Sequence, residues 1–282
     1  MLKSILIGLD GSPSSTAALE LDIQWAKRFN ALLVGIGIVD DATIYTPEAE
    51  PIGVDYHWEL DAQRVKEASH KVKQLLASFA ERCAEVDISF NVLQDAGLPY
   101  EEILRESQRY DLVLFGHDTH FRFGTVDQPD ETLWKVLKRG PRPVVIAPPK
   151  LEPGSSAVVA YNGSPQADRA LQAFQSSGLD FGEEVCVVNV DDDREEAARQ
   201  AERAVEFLRL HQINVVANAL GPVDSVSQAI LEEVRQRSAR LLVMGACGHS
   251  AVREFLLGSI TKAVLKESPV PVFLCHLRMM ML

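Results

Sequence analysis

"ILIGLDGSPSSTAALEL" (residues 5–21) and "VVAYNGSPQADRALQAF" (residues 158–174) decide the fold. Each reads as an apolar strand, a Gly-Ser-Pro turn and an amphipathic helix. Gly11, Ser12 and Pro13 match Gly163, Ser164 and Pro165, and Leu19 matches Leu171, without a gap. Two further pairs follow in the same order. "DLVLFGHDTH" (111–120) parallels "RLLVMGACGH" (240–249), and "GPRPVVIAPP" (140–149) parallels "SPVPVFLCHL" (268–277). Three ordered landmarks make an internal duplication. The Pro/Gly/Ser-rich seam "APPKLEPGSS" (147–156) predicts domains over 1–150 and 151–282.

Each half alternates strand and helix. In the second half the pattern predicts a strand over 157–161, a helix to about Ser176, a strand over Glu184–Val190, a helix over 194–212 and a strand over 213–220. "DSVSQAILEEVRQRS" then reads as a helix with Asp224 as its N-cap, followed by a strand over 240–245, a Gly-rich stretch, a helix and a last strand over 270–276. The first half repeats the order with "DATIYTPEAEPIGVDYHW" (41–58) inserted after its second strand, as a flap or a surface connection. Strands such as "LVLFG" and "LLVMG" are nearly all apolar, which suits parallel strands covered on both faces. The prediction is α/β: two tandem doubly wound domains, each with a mostly parallel five-stranded sheet.

The chain has 282 residues, enough for two cores without disulfides or metal. A net charge of -12 opposes binding to a nucleic-acid backbone. Cys83, Cys186, Cys247 and Cys275 show no C-x-x-C spacing and read as reduced, mostly buried thiols of a cytoplasmic protein. "MLKSILIGLDGS" does not resemble a signal peptide, and no apolar run nears the roughly 20 residues that span a bilayer.

Open parallel sheets bind ligands at the carboxyl ends of their strands. In the second half these ends carry Tyr161–Asn162–Gly163, Val190–Asp191 and Gly245 to Gly248. Glycines admit a ligand to the backbone, and a helix start near Ser259 offers unpaired N–H groups to a phosphate, with Ser259 and Thr261 as hydroxyl donors. The stretch is neither a Walker A loop nor G-x-G-x-x-G, and a plain strand-to-helix connection explains it equally well.

The duplicated layout and this loop resemble the universal stress protein family, whose members carry G-x2-G-x9-G-[ST] after the fourth strand. Here that is Gly245, Gly248, Gly258 and Ser259, and the family's opening D-G-S is Asp10–Gly11–Ser12. The resemblance spans the whole chain and implies an adenine nucleotide α hydrolase-like fold that binds ATP and hydrolyses it slowly at best. It implies phosphate and ribose contacts from Gly245, Gly248, Gly258, Ser259 and Ile260, with Met244, His249 and Thr261 beside them. Val190 would meet the adenine edge through its backbone, and Ala160, Tyr161 and Asn162 would line the floor. The family usually has Asp where Asn162 stands, so the lost charge weakens the case for metal and catalysis more than for nucleotide. No catalytic residue and no metal ligand is assigned, and Mg2+ as a companion of ATP is left open.

The first half keeps Gly116, but Thr119 replaces the second glycine, and Asp130 and Glu131 stand at the third glycine and serine. Two carboxylates there would repel a phosphate, so this half reads as degenerate for ATP. His117, Asp118, His120 and Asp127 crowd the same loop but match no standard zinc spacing. Cys247 as a redox site and Arg253 as a phosphate contact have no further support. The family pairs last strands in dimers, which implies an intramolecular pseudo-dimer through "PVVIAP" and "VPVFLCH" and leaves a homodimer open. The leading reading is a cytoplasmic ATP-binding stress protein. A slow ATPase or nucleotide-processing enzyme, and an interaction protein with another ligand in the first half, are the alternatives.

Overall fold

The computed structural model describes residues 1–44, 54–123, 130–246 and 258–276. The first half contains β1 (Ser4–Gly8), α1 (Pro13–Phe29), β2 (Leu32–Val39), α2 (Asp41–Ile44), α3 (Val54–Glu85), β3 (Phe90–Ala96), α4 (Pro99–Ser107), β4 (Leu112–Gly116), α5 (Thr132–Arg139) and β5 (Val144–Ala147). The second contains β6 (Ser156–Ala160), α6 (Pro165–Ser177), β7 (Glu184–Val190), α7 (Arg194–Leu210), β8 (Val215–Leu220), α8 (Val226–Gln236), β9 (Ala239–Gly245), α9 (Ser259–Glu267) and β10 (Val272–Cys275).

The ten strands form one sheet in the order β3-β2-β1-β4-β5-β10-β9-β6-β7-β8. Every neighbouring pair is parallel except β5 with β10, which is antiparallel, with Phe273 opposite Val145. Each half is thus a five-stranded parallel sheet, and the ladder between their last strands makes the sheet continuous. The apolar runs lie where two covered faces demand them: Ile5, Leu6, Ile7, Leu114, Phe115, Val158, Val187 and Leu242 are all fully buried. The outermost strands, β3 and β8, are mostly half-buried or exposed and carry polar residues, as edge strands do.

A second set of contacts ties the halves together. Leu2 donates its backbone N–H to the Ser177 carbonyl at 3.0 Å. The Phe29 and Phe181 rings lie 5.4 Å apart, and Arg240 and Arg28 place their guanidinium carbons 3.7 and 5.2 Å from the Phe181 ring centroid.

Some boundaries differ from the sequence reading. The N-cap of α8 is Ser225, whose hydroxyl accepts from the Gln228 N–H at 3.4 Å, so Asp224 lies outside the helix. Both residues are good caps, and the helix starts one position later than the pattern suggests. α9 starts at Ser259, where its start is expected, with Gly258 as the N-cap. The apolar stripe of α7 is Ala197, Ala201, Ala204, Val205 and Leu208, while Leu210 is exposed. Most of the inserted segment 41–58 lies outside the described residues; α2 covers its start and the first turn of α3 its end. Among the described residues no helix is long and apolar enough to cross a membrane.

Candidate functional site

In each half the strand order reverses beside the first strand, between β1 and β4 and between β6 and β9. A crevice is expected at the carboxyl ends there. The Gly-Ser-Pro turn shapes its rim. Gly11 and Gly163 have φ of 79° and 70°, the left-handed region that glycine enters freely. Ser12 and Ser164 cap the following helices by accepting from Ser15 N–H at 3.1 Å and Ala167 N–H at 3.2 Å, and Pro13 and Pro165 open them.

The residue before each turn glycine works locally. Asn162 Oδ1 accepts from the Ser164 N–H at 3.2 Å. Asp10 Oδ1 accepts from the Ser12 N–H at 3.0 Å and from the Ser12 hydroxyl at 2.8 Å. Asp10 is buried, whereas Asn162 is exposed.

In the second half the floor is built from register partners. Ala160 of β6 lies opposite Val188 of β7 and Met244 of β9. Tyr161 is buried, and its hydroxyl donates to Asp168 Oδ1 at 2.5 Å. Burial, then the Asp168 carboxylate, pushes the phenol far above its ordinary pKa, so the hydroxyl keeps its proton. The sequence reading missed this tie; the spacing of Tyr161 and Asp168 across a turn gives no periodic signal. Val190 ends β7 half-buried, and Met244 is buried.

Gly245 sits where a side chain cannot. A Cβ there would come within 2.8 Å of the Ala167 backbone nitrogen and of the Gln166 carbonyl carbon. Gly116 is tighter still, with the Ser14 carbonyl carbon at 2.4 Å. This first loop glycine is therefore a packing requirement of both halves. Gly258 differs: its φ of −58° and ψ of 149° suit any residue, and as N-cap of α9 it brings no side chain of its own. Ser259 and Ile260 are exposed beside it, while Thr261 is buried. Cys247, Gly248, His249 and Arg253 lie outside the described residues.

The first-half crevice has a different content. Phe121 is fully buried there, and the Arg122 guanidinium meets Asp40 at the end of β2 at 2.5 Å. The Asp130 carboxylate accepts from the Phe121 N–H at 2.6 Å and the Thr132 N–H at 2.7 Å. Glu131 instead points outward and pairs with Lys135 at 3.3 Å. Thr119 is buried, and its hydroxyl has no partner among the described residues. The Val39 carbonyl, the counterpart of Val190, accepts from the Gly97 N–H at 3.1 Å. His117 Nδ1 lies 2.8 Å from Asp118 Oδ1, and Asp127 is outside the described residues. Among the described residues no cluster of three or more His, Cys, Asp or Glu could hold a metal ion. Cys83 and Cys186 are buried, and burial pushes both thiols up to about 11.

Two doubly wound α/β units joined in one sheet, each with the Gly-Ser-Pro rim, define the class of protein. The chain belongs to the universal stress protein family, whose profile matches residues 1–148 and 156–276. The universal stress protein Slr1230 of Synechocystis is 22% identical over 217 residues, covering 76% of this chain and 75% of that protein. Among solved structures, a universal stress protein from Archaeoglobus fulgidus superposes with a TM-score of 0.70 at 23% identity, over 97% of this chain and 96% of its own. A functionally unknown protein from Pseudomonas aeruginosa superposes with a TM-score of 0.60 at 16% identity, over 98% of this chain and 92% of its own. These similarities concern the fold.

Proposed function

We propose that the second half, residues 151–282, binds ATP as a regulatory ligand, and that the chain is a cytoplasmic, nucleotide-reading stress protein rather than an efficient enzyme. The observation that carries this is the contrast between the halves at one position. Gly258 caps α9 with no side chain of its own, whereas Asp130, at the matching place in the last-strand register, puts a carboxylate on the Thr132 N–H at the start of α5 and on the Phe121 N–H. The glycine set Gly245, Gly248, Gly258 and Ser259 is complete only in the second half. Ala160, Tyr161 and Asn162 serve as floor, the Val190 backbone takes the adenine edge, and Ile260 and Ser259 flank the phosphates. Asn162 offers an amide in place of the family's usual carboxylate, so Mg2+ would lean on the phosphates themselves. The β5–β10 ladder supports reading the two halves as an intramolecular pseudo-dimer.

The test is direct. Purified protein is denatured and the supernatant assayed for adenine nucleotide, and stripped protein is melted with and without ATP. Bound ATP, or an ATP-dependent rise in Tm, is expected. Gly258→Asp is expected to abolish both, because a carboxylate would occupy the phosphate position. ATP affinity unchanged in Gly258→Asp would overturn the assignment.

A further inference from the structure

The first-half crevice is packed with the chain's own segment 117–123, and each tie uses a group that borders the crevice. At the end of β1, Asp10 Oδ2 accepts the His120 N–H at 2.7 Å. At the start of α1, the Ser14 hydroxyl accepts the Asp118 N–H at 3.0 Å. At the end of β2, Asp40 Oδ2 holds Arg122 at 2.5 Å, with the two side chains 5% and 15% exposed. From α3, Lys71 Nζ donates to the Phe123 carbonyl at 2.7 Å. From the start of α5, Asp130 takes the Phe121 N–H with one oxygen and the Thr132 N–H with the other.

The Phe121 ring completes the filling. It is 1% exposed and so close to β1 that a Cβ on Gly8 would stand 3.0 Å from its Cζ. A phenyl ring and a mostly desolvated Arg–Asp pair thus fill the space beside the ends of β1 and β2.

We propose that segment 117–123 is a built-in strap that closes the first-half crevice, and that the Asp130 carboxylate serves as its internal anion, standing on the loop and helix-start N–H groups that a bound oxyanion would take. The strap explains the first half's lack of the later glycines without loss of fold: the chain supplies from within what the second half is read as taking from solution. The comparison with the second half rests on the ATP reading above. The strap itself rests on its own contacts.

The experiment separates the two. Full-length protein carries Gly258→Asp throughout, so that the second half contributes no anion binding. In this background, Asp130→Gly and Asp130→Asn are melted in phosphate-free buffer, with sodium sulfate or with sodium chloride at equal ionic strength. Asp130→Gly is expected to lower Tm by several degrees, and sulfate, but not chloride, is expected to restore at least half of the loss. Asp130→Asn keeps an acceptor without the charge and is expected to fall between Asp130→Gly and the parent, whose own sulfate-over-chloride difference measures the general stabilising effect of sulfate and is subtracted. A Tm unchanged by Asp130→Gly, or a sulfate-over-chloride recovery no larger than the parent's, would overturn the strap. Should Asp130→Gly fail to fold, the same salt comparison on Asp130→Asn decides, and a sulfate response no larger than the parent's overturns it. Failure of the ATP reading would show instead as no nucleotide effect on the protein without Gly258→Asp, and would leave this result untouched.

Discussion

Asp22 occupies in α1 the place that Phe174 occupies in α6, in the gapless register that pairs Gly11 with Gly163. Phe174 is fully buried and meets the Phe273 ring edge-on at 6.4 Å. Asp22 is fully buried too, and neither carboxylate oxygen has a hydrogen-bond partner among the described residues. An unpaired carboxylate in such a site is unfavourable, so burial raises the Asp22 pKa well above its ordinary range and the group holds its proton. Its charge, when present, would also bear on Cys83 nearby.

This gives a pH dependence of known sign. The folded pKa lies above the unfolded one, near 3.9. Below that value both states are protonated and Asp22 contributes no pH dependence. As pH rises towards the folded pKa, the unfolded chain releases a proton that the folded chain retains, and stability falls. Asp22→Asn removes the titration at constant volume. Its unfolding free energy from urea titration is expected to track wild type near pH 4 and to exceed it at pH 7, by about 1–3 kcal/mol. A gap that is the same at both pH values would show that Asp22 does not titrate in this window.

Asp22 also marks where the sequence stops being legible. The strands were readable because both sheet faces are covered, so apolar runs such as "LVLFG" have no other home. The Gly-Ser-Pro turns were readable because a left-handed position, a cap and a Pro at the helix start each prefer a residue type. A lone buried carboxyl on a helix follows no such preference; only the repeat alignment exposes it. Nor did any periodicity announce Phe121 and Arg122 as the filling of a crevice, since irregular segments have no period. Asp130 was legible as hostile to phosphate but not as the acceptor of two backbone N–H groups. Gly245 carried the opposite error of emphasis. It belongs to the family's loop motif, yet its matched partner Gly116 shows that the close approach of the first turn of α1 or α6 demands a glycine at that strand end in both halves.

Phe181 joins the halves at some local expense. Its φ of 54° is in the left-handed region, unfavourable for a bulky side chain. The ring lies among Phe29, Arg28 and Arg240, and the backbone around it accepts from Arg28 at 3.3 Å and, at the Leu179 and Asp180 carbonyls, from Arg240 at 3.2 and 3.3 Å. These contacts outweigh the strain. Phe181→Ala is expected to destabilise by about 1–3 kcal/mol. A double-mutant cycle with Arg240→Met should give a coupling of about 0.5–2 kcal/mol in urea unfolding. Strict additivity would mean that the stacked guanidinium contributes nothing and that the backbone bonds alone hold the junction.

The loop glycines separate into two kinds, and substitution should tell them apart. Gly116→Ala forces a Cβ to within 2.4 Å of backbone at the start of α1, and Gly245→Ala to within 2.8 Å at the start of α6. Backbone cannot rotate away as a side chain can, so each is expected to cost about 1–3 kcal/mol or more, with Gly116→Ala the worse. Gly258 meets no such demand from its own dihedrals, and Asp is a preferred residue at a helix N-cap. Gly258→Asp is therefore expected to keep the wild-type unfolding free energy in urea, or to raise it by up to about 1 kcal/mol, while losing ATP. In the last-strand register the first half has Asp130 there, one residue before the Glu131 N-cap of α5. If Gly258→Asp instead unfolds as easily as Gly245→Ala, loss of ATP in that variant says nothing about a phosphate contact, and the smaller substitution Gly258→Ala must carry the binding test. Stability retained with binding lost would mark Gly258 as a glycine kept for a ligand, in contrast to Gly116 and Gly245, which are kept for the fold.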